Sequence, residues 1–200
     1  MSVKRVVLAS SSPRRRELIR LAGVTDPVII PSDADESMDH PVPPDELVLI
    51  LSERKSRAVK DKVDFSDVVI GSDTVVSYHG EILGKPSSPA DAKRMLLMLS
   101  GNVHTVYTGL CVLYEDQKFA VLGSADVSFR DLTESEIDTY IASGDPLDKA
   151  GAYGMQSGAA PFVKEIHGDY YSIVGLPVCQ LSVILRQINS SCEEMDIGIS

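Results

Sequence analysis

Runs of β-branched residues alternate with capped helical stretches along almost the whole chain, and that alternation confines the fold to the α/β class. The first run, VKRVVLAS, stops at a serine cluster and reads as a buried strand. Ser12 followed by Pro13 is an N-cap with proline at the first helical position. Leu18, Ile19, Leu21 and Ala22 supply the apolar stripe of that helix, and Gly23 stops it. Residues 28–30 are expected as a strand leading into an acidic loop. Asp45 is expected to cap a helix reaching about Lys60, with Leu47, Ile50, Leu51 and Ala58 facing inward. Residues 68–76 read as a second buried strand. Ser88-Pro89-Ala90-Asp91 opens a helix that carries Ala92, Met95, Leu96 and Leu99 to a stop at Gly101. Residues 103–114 and 119–129 read as an adjacent strand pair turning at Glu115-Asp116, and Thr133-Glu134-Ser135-Glu136 is a capping box for a helix bearing Ile137, Tyr140 and Ile141. A glycine-rich loop (149–158), a strand (162–166) and a last helix (177–188, with Leu181, Ile184 and Leu185 inward) complete the pattern. The expectation is a mixed twisted sheet with flanking helices in one domain over 1–188. A flexible polar tail follows over 189–200, with no internal repeat and no separating linker.

Composition narrows the partners. Two hundred residues with 44% hydrophobic content can bury roughly 70% of the unfolded surface, so neither disulfides nor a metal is needed for folding. Lys and Arg total 19 against 29 Asp and Glu, a net charge of −10. That field repels nucleic acid and anionic membrane surfaces, so any contacts to an anionic substrate must be few and local. Cys111, Cys179 and Cys192 are odd in number, far apart and without a C-x-x-C pair, which suits a reducing cytosol. Lys4 and Arg5 precede an apolar run of only residues 6–9, too short for a signal peptide, and no stretch approaches a membrane span. A soluble cytoplasmic protein is expected.

Three constellations could carry chemistry. Ser10-Ser11-Ser12-Pro13-Arg14-Arg15 lies between strand and helix, where unpaired N–H groups, hydroxyls and an arginine fork make an anion site. The same residues also describe a plain capped helix with two solvated arginines, and no Walker glycine pattern is present. Asp33, Asp35 and Glu36 form an acidic loop that either binds a divalent cation together with substrate oxygens or is simply a solvated turn. Asp73 differs, because it interrupts VVIGSDTVV: a carboxylate among strand formers costs several kcal/mol unless paired or put to use. Lys55, Lys85 and Lys149 each read, taken singly, as surface lysines, with Lys85 set in a loop fixed by Gly84 and Pro86. None of the four histidines has metal-ligand spacing, and His104 reads as structural. A dinucleotide-binding Rossmann domain would open on the same strand, loop and helix, but G-x-G-x-x-G is absent.

Taken in order, LASSSPRRRELI (8–19), Asp35-Glu36, Lys55, VIGSDTVV (69–76), Gly84-Lys85-Pro86, MLLMLSG, HTVYTG, SGDPLDKAGAYGMQ and GDYYSIVGLPV resemble the Maf family of nucleotide pyrophosphatases as far as Val178. The resemblance implies a two-lobed fold similar to inosine triphosphate pyrophosphatases, with the nucleotide in the cleft. It also implies a divalent metal, usually Mg²⁺ or Mn²⁺, and commonly a homodimer. The implied reaction cleaves a nucleoside triphosphate to the monophosphate and pyrophosphate. Carried over, Asp73 is the catalytic base, a metal ligand with Glu36, or both; Ser10, Ser12, Arg14, Lys55 and Lys85 fall on the phosphate site. Arg14, Thr74 and Gln156 match positions tied to substrate choice. AYGMQ (152–156) is similar to the branch acting on dTTP and UTP, as opposed to 7-methyl-GTP. Gln156 offers one donor and one acceptor to the N3–H and carbonyl edge of uracil or thymine. Two departures stand out: Ser157 intervenes between Gln156 and Gly158, and Ser172 replaces a common asparagine. The family's link to cell-division arrest leaves a nucleotide-binding regulator without turnover as the alternative, although a pure binder has no need of Asp73 and Glu36 beside phosphates.

Overall fold

The apolar opening run forms β1 (Val6–Leu8), buried along its whole length in a computed structural model that describes residues 5–190. It lies parallel to β2 (Val28–Ile29), with Val7 opposite Val28, and parallel to β3 (Val68–Tyr78), with Val6, Val7 and Leu8 opposite Val68, Val69 and Ile70. β4 (Glu81–Leu83) pairs antiparallel to β3, and with β5 (Val103–Tyr114), β6 (Gln117–Phe129) and β7 (Val163–Gly168) the strands form a seven-stranded mixed sheet, flanked by helices, in the order β2-β1-β3-β5-β6-β7. β5 and β6 are joined by the expected two-residue turn, and β7 runs antiparallel to β6 with an irregularity at Ser128 and Phe129. The chain divides into two compact units: one takes residues up to Asp73, Thr108–Gly123 and everything from Gly175 on, the other Thr74–Tyr107 and Ser124–Val174.

In the first unit, α1 (Pro13–Leu21) has Ser12 as its N-cap and Pro13 at its first turn, and it buries Leu18 and Ile19. α2 (Pro44–Lys60) corrects two expectations. Asp45 lies inside the first turn and the N-cap is Pro43, without a side-chain cap, so the acid acts on the helix dipole instead. The inner face carries Val48, Leu51, Ser52, Ser56 and Val59, while Ile50 is exposed and Leu47 and Ala58 are half-buried. Close approach explains the shift: a Cβ at Gly71 of β3 would collide with Ser56 Oγ and with the Ser52 carbonyl. Only small side chains fit there, and both hydroxyls are satisfied, Ser52 on Leu49 O and Ser56 on Ser52 O and Cys111 O. α6 (Val178–Ser190) buries Val178, Leu181, Ile184, Leu185 and Ile188 and runs two residues past the expected boundary. Lys4, Cys192 and the rest of the expected tail lie outside the described residues.

The second unit has its own core, built from Leu96 and Leu99 of α3 (Pro89–Leu99), Ile137 and Tyr140 of α4 (Glu134–Ala142), and Phe129, Tyr153 and Phe162. Both helix starts are as read: Ser88 caps α3, and Thr133 with Glu136 closes a capping box on α4. The glycine-rich segment 149–158 holds one short 3₁₀ turn, Ala150–Ala152, and lies between two others, Asp145–Asp148 and Ala160–Phe162. Two elements escape the periodicity. β4 follows a two-residue turn in which His79 and Gly80 both have positive φ, the geometry that matches hairpin twist. α5 (Tyr170–Val174) is a single turn started by Asp169, which accepts from the Tyr171 amide and the Ser172 hydroxyl. Ser172 is fully buried.

Candidate active site

The serine loop is a folded support. Ser10, buried at the end of β1, accepts from the Ser12 amide and, at 3.4 Å, from Arg15 Nη1. Arg15 also donates from Nε to the Gly175 carbonyl at 2.8 Å, and Ser72 of β3 donates to that same oxygen at 2.9 Å. Burial lowers the Arg15 pKa from the usual arginine value; Asp73 opposes that shift, Arg14 adds to it, and Glu36 also opposes it. All four charges therefore share one electrostatic neighbourhood. Arg14 is half-buried. The sequence reading chose Arg14 and passed over Arg15 as a site residue. The signal was available, since Arg15 precedes the buried Leu18 and Ile19 by three and four positions and so shares their face.

Lys55 answers the question posed by a carboxylate in an apolar strand. Its Nζ lies 2.5 Å from Asp73 Oδ1 and 2.9 Å from Glu36 Oε1, with the lysine side chain 13% and the Asp73 side chain 11% exposed. Glu36 is largely solvent-facing, at 60%. Lys55 is therefore not a surface lysine. It stands on the inner face of α2 beside Ser52 and Ser56 and compensates a charge that would otherwise be buried alone. Lys149 departs from the surface reading as well: it is 11% exposed and holds Asp145 and Asp148. His104 is buried, as the structural reading expected.

The acidic loop divides. Glu36 reaches Lys55, whereas Asp33 pairs with Lys62, and both Asp35 carboxylate oxygens are taken by Ser37. Those donors hold the carboxyls of Asp33 and Asp35 below the usual range, Asp33 chiefly through Lys62 and Asp35 chiefly through the Ser37 amide. Among the described residues no three His, Cys, Asp or Glu side chains gather as a metal site. Glu36 and Asp73 on one ammonium form a two-carboxylate donor set, which suits a hard cation completed by phosphate oxygens and water rather than an all-protein cage. In the second unit, Thr74 follows Asp73 along β3 and is half-buried, while Lys85, in the loop after β4, and Gln156, between two 3₁₀ turns, are both exposed.

Chemically, the first unit thus holds a buried carboxylate, an ammonium and a guanidinium beside a helix N-terminus, the elements of an oxyanion site with a base next to it. Residues 5–188 match the family described as Maf-like protein. The chain is 45% identical over 188 residues to the dTTP/UTP pyrophosphatase of Bacillus cereus, covering 94% of this chain and 92% of that one. It is also 45% identical to the dTTP/UTP pyrophosphatase of Bacillus anthracis, with 94% and 97% covered. Among solved structures, the HAM1 protein from Coxiella burnetii aligns with a TM-score of 0.50 at 12% identity, covering 92% of this chain and all of that one. The Staphylococcus aureus Ham1 protein gives 0.50 at 15%, with 96% and all covered, so the fold is shared where sequence is not. No helix among the described residues is long and apolar enough to cross a membrane. Because the family match runs unbroken through the serine loop, Lys55 and Asp73, the strand, loop and helices that assemble this cluster are those of the Maf family, to which the chain belongs.

Proposed function

We propose that this protein hydrolyses nucleoside triphosphates at the α-phosphorus, releasing a nucleoside monophosphate and pyrophosphate, with dTTP and UTP as preferred substrates. The observation that carries the reading is the Lys55 ammonium held between the buried Asp73 carboxylate and the exposed Glu36. The dTTP/UTP pyrophosphatases at 45% identity support the substrate class.

Asp73 takes a proton from the attacking water as its oxygen bonds to the α-phosphorus, and the bond from that phosphorus to the bridging oxygen of the β-phosphate breaks. The electron pair leaves with pyrophosphate. Lys55, Arg14, Arg15 and Lys85 offset the charge on the phosphates, and Ser10, Ser12 and the N-terminal amides of α1 orient the oxygens. Ser12 already caps α1 and Ser10 already accepts from Arg15, so both hydroxyls are held in place. Glu36 and Asp73 would hold a divalent cation such as Mg²⁺ or Mn²⁺, which when bound would neutralise phosphate charge and make the attacking water easier to deprotonate. Gln156, with Thr74, reads the pyrimidine edge. The chain works as a homodimer in the cytoplasm in this reading.

The bond that breaks is the deciding test. Hydrolysis in ¹⁸O-labelled water should place the label in the nucleoside monophosphate, with unlabelled pyrophosphate beside it. Label in orthophosphate and a nucleoside diphosphate product would mean γ-phosphorus attack and would overturn the proposal.

A further inference from the structure

Gln156 is exposed, yet the turn that carries it is pinned on both sides. Asp145 Oδ2 accepts from the Tyr140 hydroxyl and from Ser157 Oγ, each at 2.6 Å, and Lys149 Nζ lies 3.0 Å from Asp145 Oδ1. The Tyr140 oxygen in turn accepts from the Gly154 amide at 3.0 Å. One residue earlier, the Tyr153 hydroxyl meets His104 Nε2 at 2.9 Å inside an aromatic cluster with Phe129. Burial opposes the Asp145 charge, but the donors Ser157, Tyr140 and Lys149 outweigh it and hold the carboxyl at about 2. The inserted residue, Ser157, is thus no idle departure: its hydroxyl is one of the three side chains gathered on Asp145.

We infer that Asp145, through Tyr140 and Ser157, is a positioning residue for base selection, fixing the 153–158 turn so that Gln156 presents its amide in one orientation. The inference rests on the reading of Gln156 as the base contact. Asp145 itself touches no substrate in this scheme. A rigid turn lets a single glutamine distinguish a pyrimidine with an N3–H from cytosine, whereas a loose one lets the amide rotate to suit either.

The test compares Ser157→Ala, Tyr140→Phe and Gln156→Ala. Amide hydrogen exchange over residues 154–157 should quicken in the first two without nucleotide present. For Ser157→Ala, KM for UTP should rise about fivefold, the equivalent of one ordinary hydrogen bond, with kcat kept, and the UTP-over-CTP preference should fall by a similar factor. Tyr140→Phe, which loses the Gly154 contact too, should show the same split. Unchanged exchange in both variants would overturn the inference. So would quicker exchange with an unchanged UTP-over-CTP preference while Gln156→Ala erodes it, and in that case the base reading survives. A Gln156→Ala variant with full preference would refute the base reading, and the positioning role with it.

Discussion

Asp73 and Lys55 are separated by 18 positions in sequence and by 2.5 Å between their charged atoms. Asp73→Asn keeps the shape and removes the base, so turnover should fall about 10²–10⁴-fold with nucleotide binding retained; a near wild-type rate would place the base elsewhere. Lys55→Ala should do two things at once, slowing hydrolysis and, by leaving Asp73 buried without its partner, lowering stability by on the order of 3 kcal/mol. Adding Asp73→Asn should recover much of that stability and none of the activity. Lys85→Ala offers the contrast. Lys85 is exposed, so its loss should leave stability within about 0.5 kcal/mol while weakening kcat/KM by about 1.5–3 kcal/mol if it meets phosphate. Denaturant unfolding and steady-state kinetics on the same four proteins separate these outcomes. Asp73 was legible because a lone carboxylate in VVIGSDTVV demands an explanation. Its partner was not, because nothing local marks which of several lysines a distant strand will meet. Arg15 fell between these cases: its position on the apolar face of α1 was readable, but its acceptor, the Gly175 carbonyl, belongs to a segment 160 residues away.

Element by element, the caps of α1, α3 and α4 and the inward faces of α3 and α6 were readable, whereas the cap and face of α2 and the exposed Leu21 of α1 were not. Ser12, Ser88 and Thr133 begin helices as read, because a hydroxyl one residue before the first turn acts locally. The face of α2 is not wholly apolar because Gly71 of β3 comes so close that only the small Ser52 and Ser56 fit at that point, beside Val48, Leu51 and Val59. That contact makes a sharp prediction. Gly71→Ala places a methyl group against the Ser52 carbonyl and should destabilise by about 1–3 kcal/mol through overpacking. Removing the Ser56 hydroxyl as well should recover only part, since the Ser52 backbone stays where it was. Urea unfolding midpoints measure both, and a Gly71→Ala protein as stable as the wild type would contradict the packing. β4 and α5 were missed for a different reason: elements of three and five residues are too short to show a period.

The whole molecule should also carry a pH signature from His104. It is 2% exposed, its Nδ1 has no hydrogen-bond partner among the described residues, and burial pushes its pKa from the ordinary 6.5 down to about 4. Between those two values the unfolded chain binds the extra proton and the folded chain does not. Stability contributed by the neutral ring is therefore complete above about pH 6.5, falls as pH drops, and levels off below about 4. The window amounts to on the order of 3 kcal/mol. His104→Gln should flatten that part of the curve relative to the wild type; parallel curves of unfolding free energy against pH would show that His104 does not contribute.

The division into two compact units has a consequence for how such a chain can be made or recombined. The chain passes from one unit to the other at Asp73/Thr74, Tyr107/Thr108, Gly123/Ser124 and Val174/Gly175, and the first three passages fall within β3, β5 and β6. Neither unit is therefore a contiguous stretch of gene. No truncation can deliver one alone, and a crossover at any of the first three passages would join half a strand to foreign sequence. The ribosome meets the same constraint. The first unit includes the segment that carries α6, so it cannot close until α6 has emerged, roughly ten to forty seconds after β1 at ordinary synthesis rates of about 5–20 residues per second. The second unit, complete at Val174, is the one whose sequence is first available in full.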